Sequence, residues 1–382
     1  MPDPSRWIGR LGVFLAGLSL YACATPRYST APPPIRPYPP PSRPYPPPAR
    51  PPRLSAPSPR VEVPTPEYRR VADLPGWAQD DHAAAFAAFQ AGCRVTKDAD
   101  LYVVCRRARA IGRLDEAAAK AFFQDNFRPR AVQGQGLMTG YFVPEYEARE
   151  DPVAPFTAPV RPRPADLPPG TGLYADRATI ESVPADRALA WMKPEDLFFM
   201  QIQGSGVLDF PDGHRMKANF AATNGQPFTP IAVPLRQRGA LTASGSSGDA
   251  VRAWLADHRG PEADAVMDLN ARYVFFNIGP DDGREPAGTA GIPLPPGHAI
   301  AVDLAEHPMG GLFWLDAEEP SLTGAAPAYR RLAMALDTGG AIKGAVRADL
   351  YVGRGPAAGV EAGHIRHVLR MYELVPVDDR AP

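Results

Sequence analysis

Cysteine is scarce in this sequence, with three residues among 382, and that number is too small for a disulfide framework. The seven histidines are scattered without metal-ligand spacing, so no metal site is expected. The formal net charge of −1 gives no reason to expect nucleic acid as a partner. A glycine-rich phosphate loop with its lysine is also absent, and we expect no cofactor.

Long hydrophobic runs are missing except near the start, where Leu11 to Leu20 follows Arg6 and Arg10. This run is too short to span a membrane and is typical of a secretory signal. It ends just before Cys23, in a pattern that resembles a bacterial lipoprotein signal. We therefore expect residues 1–22 to be a signal peptide and Cys23 to be lipidated, with ordinary cleavage nearby as the alternative. The chain would then be an outer-membrane lipoprotein on the periplasmic face, since Ala24 is not the aspartate that retains lipoproteins at the inner membrane.

Proline is abundant, and it is concentrated in one region. Of the 41 residues from Pro26 to Pro66, 18 are proline, and six arginines lie between Arg27 and Arg60 without an acidic residue. Such a segment lacks the apolar content to fold and the N–H groups to join a sheet. Residues 23–72 are therefore predicted to be an extended linker.

The globular part is predicted to be mainly β with a few helices. Apolar spacing indicates packing helices over residues 79–91, 114–125, 249–258 and 261–270. Short strands separated by glycine and proline turns follow residue 136 and dominate after residue 272. A disulfide between Cys93 and Cys105 would suit a hairpin whose second strand is Leu101 to Val104, although the sequence does not fix that geometry.

The stretch from Leu336 to Gly353 combines two aspartates with several glycines and short apolar segments. Ala341-Ile342 and Leu350 to Val352 have the pattern of short strands, which places Asp337 and Asp349 at strand ends around a turn. Aspartates in such positions either face a cleft or bond only local N–H groups.

Glutamines alternate with apolar residues from Leu197 to Leu208, which predicts a strand. Gln201 and Gln203 would then project from one face, where paired amides suit a hydroxyl-rich ligand. The alternative is a polar face turned to solvent.

Two kinds of carboxylate chemistry fit these residues. Asp337-Thr338-Gly339 looks like the turn of pepsin-like proteases, but that chemistry needs two such turns and the sequence has one. A serine hydrolase is disfavoured because Ser205 lacks the nucleophile-elbow pattern. Cleavage of a glycosidic bond remains, in which a carboxylic acid protonates the leaving oxygen.

Several motifs, in order along residues 75–378, resemble the membrane-bound lytic transglycosylase A (MltA) family with its three-aspartate (3D) domain. The motifs are Thr139-Gly140-Tyr141-Phe142-x-Pro144, Phe198-Phe199-x-Gln201-Ile202-Gln203-Gly204-Ser205-Gly206, Asn224-Gly225-Gln226-Pro227, Ala301-Val302-Asp303, Asp337-x-Gly339-Gly340-Ala341-Ile342-Lys343-Gly344 and Asp349. The resemblance implies a double-psi β-barrel formed by residues 73–139 and 268–378. It also implies a second, inserted β domain at residues 140–267, with a groove for peptidoglycan strands between the two.

The resemblance further implies a lyase-type exotransglycosylase that cleaves the MurNAc–GlcNAc bond and leaves 1,6-anhydro-MurNAc ends. Asp349 matches the single aspartate that acts as acid and then as base, and Asp337 would orient it or stabilise the oxocarbenium ion. Asp303 would be structural or contact substrate. The other residues expected to bind the glycan are Tyr141, Gln201, Gln203, Ser205 and Asn224.

To start as an acid, Asp349 needs a raised pKa, which the apolar Leu350 and Tyr351 and a negative Asp337 would favour. Lys343 would oppose this shift, so we expect it to point elsewhere or to contact substrate. A glycan-binding lipoprotein without activity and a hydrolytic muramidase stay open as alternatives, and proteins of cell-wall synthesis or hydrolysis are possible partners.

Overall fold

The computed structural model describes residues 64–168, 172–242, 247–320 and 326–377. The predicted signal peptide, Cys23 and most of the proline-rich linker lie outside these residues. Among the described residues, no helix is both long enough and apolar enough to cross a membrane.

The described residues are mainly β and include nine α-helices. The helices are α1 (His82–Gly92), α2 (Ala99–Ile111), α3 (Glu116–Asn126), α4 (Arg177–Ser182), α5 (Pro194–Gln203), α6 (Ala232–Gln237), α7 (Gly248–Asp257), α8 (Pro261–Met267) and α9 (Gly355–His364). The strands are β1 (Phe127–Val143), β2 (Glu145–Glu147), β3 (Ala158–Val160), β4 (Ala190–Met192), β5 (Gly206–Asp209), β6 (Arg215–Thr223), β7 (Val274–Pro280), β8 (Ala299–Ala301), β9 (Leu312–Pro320), β10 (Ala328–Asp337), β11 (Arg347–Arg354) and β12 (Arg366–Pro376).

Six strands close into a barrel in the order β1-β11-β8-β10-β9-β12. Strand β1 runs parallel to β11 and β8 parallel to β10, whereas the other neighbours are antiparallel. Because side chains alternate between the two faces of a strand, β10 serves two cores. Ala333 and Ala335 join an inner cluster drawn from all six strands, while Leu332 and Met334 join an outer cluster that includes residues of α1, α2 and α3.

A second sheet of four strands, in the order β2-β5-β6-β7, is formed by segments between β1 and β8 in the chain. Its core contains Leu208, Ala218 and Phe276 together with Met200 of α5. Helix α5 is followed immediately by β5, so this helix leads directly into the sheet.

The predicted strand from Leu197 to Leu208 is wrong, because its first part is helix α5. Pro194 occupies the first turn of this helix, and Gly204 ends it in the left-handed conformation with φ of 86°. Leu197, Met200 and Gln201 are buried at helical spacing. Gln201 and Gln203 therefore do not share a strand face.

The predicted hairpin around the cysteines is also wrong, although the disulfide between Cys93 and Cys105 is present. Residues 99–111 form α2, whose N-cap Asp98 accepts a hydrogen bond from Leu101 N at 2.8 Å. The disulfide thus joins the end of α1 to the middle of α2. Likewise, Ala341-Ile342 lies in a turn and not in a strand, whereas Leu350 to Val352 lies in β11 as predicted.

Replacing both Cys93 and Cys105 with alanine should lower the free energy of unfolding by about 3 kcal/mol, because the unfolded chain gains loop freedom. Urea denaturation of the double variant measures the loss. The unaltered chain, unfolded under reducing conditions, serves as the control and should match the variant. An unchanged free energy of unfolding in the double variant would contradict the prediction.

Candidate functional site

The short strand β8 brings the two predicted catalytic aspartates to the same level of the barrel. Ala301 pairs with Asp337 on one side and with Asp349 on the other. Asp349 also pairs with Thr139 of β1. Four neighbouring strands thus carry a row of Thr139, Asp349, Ala301 and Asp337. Since neighbouring strands lie about 4.8 Å apart, the backbones of the two aspartates are about 10 Å apart.

A cavity of about 610 Å³ lies over this row. The structure brings together most of the predicted site residues on its wall, namely Tyr141, Gln201, Gln203, Ser205, Asp337 and Asp349. Within the described part of the chain, Asp337 and Asp349 supply the carboxyl groups of the lining.

Asp349 lies in an environment that favours its protonated form. Removal from bulk water raises the pKa of the Asp349 carboxyl above its usual value, against the charge of Arg347 and the hydrogen bond from Thr139. The negative charge of Asp337 adds to the rise. The direction agrees with the sequence-based expectation, but the nearby cation is Arg347 and not Lys343.

Arg347 acts on Asp349 through Thr139. Its Nη2 donates to Thr139 Oγ1 at 2.8 Å, and the Thr139 hydroxyl donates to Asp349 Oδ1. Oδ1 is thereby an acceptor, so a proton on this carboxyl group would lie on Oδ2. Arg347 was not predicted from the sequence, although it stands two residues before Asp349 and residues two apart on a strand share a face.

Asp337 is held by four donors. Its Oδ1 accepts hydrogen bonds from Thr289 N at 2.9 Å, Thr289 Oγ1 at 2.7 Å and Thr338 N at 2.9 Å. Its Oδ2 accepts from the Tyr141 hydroxyl at 2.9 Å. Burial, together with the charge of Asp337, raises the pKa of Tyr141, so the phenol keeps the proton that it donates. Thr289 lies in a loop without periodicity, and nothing in the sequence marked it.

The two glutamines reach the cavity from α5. The Gln203 side-chain oxygen accepts from Phe142 N at 3.3 Å, and the Gln201 amide donates to Val274 O at 3.3 Å. The buried Gln201 oxygen has no partner among the described residues. Ser205 follows on the cavity wall.

Asn224 does not line the cavity, which contradicts the prediction that it binds substrate. The residue is fully buried. Its Nδ2 donates to Ala175 O at 2.9 Å and to Ala271 O at 2.8 Å. Its Oδ1 accepts from Tyr273 N at 2.8 Å and from Gln226 N at 3.3 Å. The side chain therefore clamps three backbone segments.

Asp303 is likewise absent from the cavity wall. Hydrogen bonds from Gly344 N and Ala305 N, reinforced by Lys343, hold the pKa of Asp303 below its usual value. The Lys343 ammonium lies 3.2 Å from Asp303 Oδ1, and its charge is not among the effects that shift the pKa of Asp349. Asp303 thus fixes the turn that precedes β11, which is the structural role given first in the sequence-based reading.

Comparisons with known proteins agree with this architecture. The family model of the MltA specific insert domain matches residues 137–277, and that of the 3D domain matches residues 298–375. Membrane-bound lytic murein transglycosylase A of Vibrio cholerae is 33% identical over 250 residues, which cover 63% of this chain and 66% of that protein. The match thus spans slightly less than two thirds of that curated relative.

Solved structures extend the match. The membrane-bound lytic murein transglycosylase of Agrobacterium tumefaciens has a TM-score of 0.70 and 32% identity, covering 81% of this chain and 97% of that one. A lytic transglycosylase of Burkholderia pseudomallei has a TM-score of 0.57 and 31% identity, covering 83% and 96%. The barrel and its aspartate row therefore place the chain among the 3D-domain proteins. Within that class, the chain belongs to the membrane-bound lytic murein transglycosylase A family.

The structural role of Asn224 can be tested against a second asparagine. Asn224→Ala leaves several buried backbone groups unsatisfied and should lower the free energy of unfolding by about 3 kcal/mol or more. Asn219 lines the cavity, and Asn219→Ala should change it by less than about 0.5 kcal/mol. Urea denaturation measures both. A stable Asn224→Ala variant would show that the clamp is not needed.

The raised pKa of Asp349 predicts a pH-dependent stability. The Asp349 carboxyl binds a proton more readily in the folded chain than in the unfolded chain. Its contribution to the free energy of unfolding is therefore fully present below the unfolded pKa of about 3.9 and is lost as pH rises through the folded pKa. Asp349→Asn cannot ionise. Its melting temperature should therefore exceed that of the unaltered chain at pH 7, and the difference should shrink toward pH 4.

Asp303→Asn is the control with the opposite sign, because the pKa of Asp303 is lowered. Asp303 contributes stability above its unfolded pKa, and this is lost as pH falls through the folded pKa. The Asp303 variant should thus be less stable than the unaltered chain at pH 7 and should approach it in acid. Equal pH dependence of the two variants would refute the assignment of the two environments.

Proposed function

We propose that the chain is a peptidoglycan lytic transglycosylase, which cleaves the β-1,4 bond between MurNAc and GlcNAc and leaves a 1,6-anhydro-MurNAc end. The family members matched above carry the name of this activity. The observation that carries the proposal is the contrast between the two carboxyl groups of the cavity. Asp349 sits in a site that favours its protonated form, whereas Asp337 already accepts four hydrogen bonds.

This contrast bears on the type of reaction. An inverting hydrolase needs a second carboxylate that is free to activate water. Asp337 is engaged by Thr289, Thr338 and Tyr141 and is poorly suited to that task. A nucleophile within the substrate removes the need for it, because a tethered hydroxyl reacts at an effective molarity of about 10⁵ M or more.

The reaction then needs one acid that becomes a base. Asp349 gives its proton to the bridging oxygen as the bond from that oxygen to C1 of MurNAc breaks. The negative charge of Asp337 stabilises the oxocarbenium ion that forms. The Asp349 carboxylate next takes the proton of the C6 hydroxyl while the hydroxyl oxygen forms a bond to C1. Asp349 ends protonated again, and no water is consumed.

The Thr139 hydroxyl helps Asp349 to act first as the acid and then as the base. Because it accepts from Arg347, its single proton is directed to Asp349 Oδ1. The other oxygen, Oδ2, is left for the transfer to substrate. The positive charge of Arg347 also limits the rise in the Asp349 pKa, which keeps the carboxylate accessible for the second step.

We also propose that the enzyme works at the cell envelope. Removal of residues 1–22 and lipidation of Cys23 would anchor the chain to the outer membrane, with residues 23–72 as a spacer between lipid and enzyme. We further propose double-psi connectivity for the barrel. The barrel domain would consist of residues 73–139 and 268–378, and the inserted domain of residues 140–267. Contacts with other cell-wall enzymes would be made from that position.

Digestion of purified sacculi tests the activity. The chain should release muropeptides about 18 Da lighter than reducing-end muropeptides, because no water is added. Asp349→Asn should lower the rate by about 100-fold or more, since it removes the general acid. Mass spectrometry identifies the products. Asp73→Asn is the matched control at an exposed position, and it should leave the rate unchanged.

Other products would overturn the proposal. Reducing ends would identify a hydrolytic muramidase and would require a second base. If neither the chain nor its Asp349→Asn variant releases products while both bind glycan, the chain is a binding protein.

A further inference from the structure

The described lining of the cavity contains more cationic side chains than carboxylates. Its cationic lining residues in the described part of the chain are Arg177, Arg272, Lys343 and Arg347. Arg177 pairs with Glu181 at 2.8 Å. Lys343 and Arg347 are engaged with Asp303 and Thr139, as described above.

Arg272 is the exception. Among the residues that the structure describes, its guanidinium has no hydrogen-bond or ion-pair partner. The side chain is half-buried, and burial lowers the pKa of the guanidinium without an opposing effect from any carboxylate. An arginine stays charged even so. A cation withdrawn from water without a partner costs free energy, which a bound anion would recover.

The base of this side chain is rigidly held. The backbone carbonyl of Arg272 accepts from Arg177 Nη2 at 2.8 Å, and Asn224 binds the carbonyl of the preceding residue. The guanidinium lies against Gly340, where a Cβ atom would come within 2.9 Å of Nη1. A glycine at this position therefore leaves room for the guanidinium beside the turn that follows Asp337.

The chemistry of the ligand decides what this cation can bind. Sugar hydroxyls and N-acetyl groups are neutral. The lactyl group of MurNAc carries a free carboxylate where the peptide stem is absent, and a stem, which is joined to that group by an amide bond, carries carboxylates of its own. A planar guanidinium matches a carboxylate with two parallel hydrogen bonds. We propose that Arg272 binds a carboxylate of the peptidoglycan strand and thereby selects muramyl-containing glycan over neutral GlcNAc polymers. This inference rests on the proposed function, because it takes the cavity as the glycan site.

Binding measurements test the inference without cleavage. Calorimetry in the Asp349→Asn background would compare stem-free glycan strands with the same strands after their lactyl carboxylates are converted to amides. Arg272→Gln should weaken binding of the carboxylate strands by about 10- to 100-fold, the range for hydrogen bonds to charged groups. Binding of the amidated strands and of a neutral GlcNAc hexamer should change less than about threefold.

Two further variants separate charge from geometry. Arg272→Lys keeps the charge but loses the paired donors of the guanidinium. Its affinity for carboxylate strands should therefore lie between that of Arg272→Gln and that of the chain with Arg272 intact. Gly340→Ala keeps Arg272 and crowds its guanidinium, and it should also weaken carboxylate binding. Melting curves of each variant show whether it is folded.

Strands with intact stems distinguish the two sources of carboxylate. A loss confined to stem-free strands assigns Arg272 to the lactyl carboxylate, and a loss confined to stem-bearing strands assigns it to the stem. Equal losses for carboxylate and amidated strands would mean that Arg272 only supports the fold, and no loss would mean that it touches no anion. Either result overturns the inference.

Failure of the proposed function is seen separately. One outcome is that the sacculus digest shows no anhydro products while the Arg272→Gln variant still loses affinity for carboxylate strands and not for amidated ones. The proposed activity is then wrong, and the proposed carboxylate site is supported. If the digest shows anhydro products while Arg272→Gln binds all strands normally, the activity stands and the carboxylate site is wrong.

Discussion

The pairing of β8 with both of its neighbours is the constraint on which the site depends. This strand has three residues, and it joins β10 and β11 to complete the barrel. Without it, Asp337 and Asp349 would lie on separate edges. With it, Ala301 stands between them, and its single methyl group leaves the space above the row open. A larger side chain there would fill the floor of the cavity, so barrel closure and access to the aspartates depend on the same small residue.

Asp337 and Asp349 lie in different environments because they accept hydrogen bonds from different numbers and types of donor. Asp337 receives backbone and side-chain donors from a loop, from the following residue and from β1. Asp349 receives one hydroxyl and loses water. Removal from water therefore disfavours the charged form of Asp349. A group kept in an unfavourable state is common at active sites, where stability is exchanged for reactivity. Arg272 shows the same exchange with the opposite charge.

The sequence predicted those parts of the site that follow from strand periodicity or from family motifs. Tyr141 and both aspartates lie on barrel strands, and all three reach the cavity. The strand predicted for Gln201 is wrong because a few alternating residues fit both the strand period and the helix period. Pro194 and Gly204, which begin and end the helix, distinguish the two. Thr289 could not be predicted, since the loop that brings it to Asp337 has no periodicity and is 48 residues away in sequence. Contacts of this kind are set by tertiary packing alone.

A reaction whose nucleophile belongs to the substrate shifts the work of the protein from activating water to holding the sugar. In the proposed reaction the C6 hydroxyl must stay near C1 while the bond breaks, so the gain from tethering would depend on how firmly the ring is fixed. A ligand carboxylate entering a cavity that already contains Asp337 would be repelled unless a cation offsets it. Arg272, held from behind by Arg177 and unpaired at its tip, supplies that cation without drawing on the one beside Asp349. Under the proposed function, the acid and the ligand would thus have separate cations, Arg347 and Arg272.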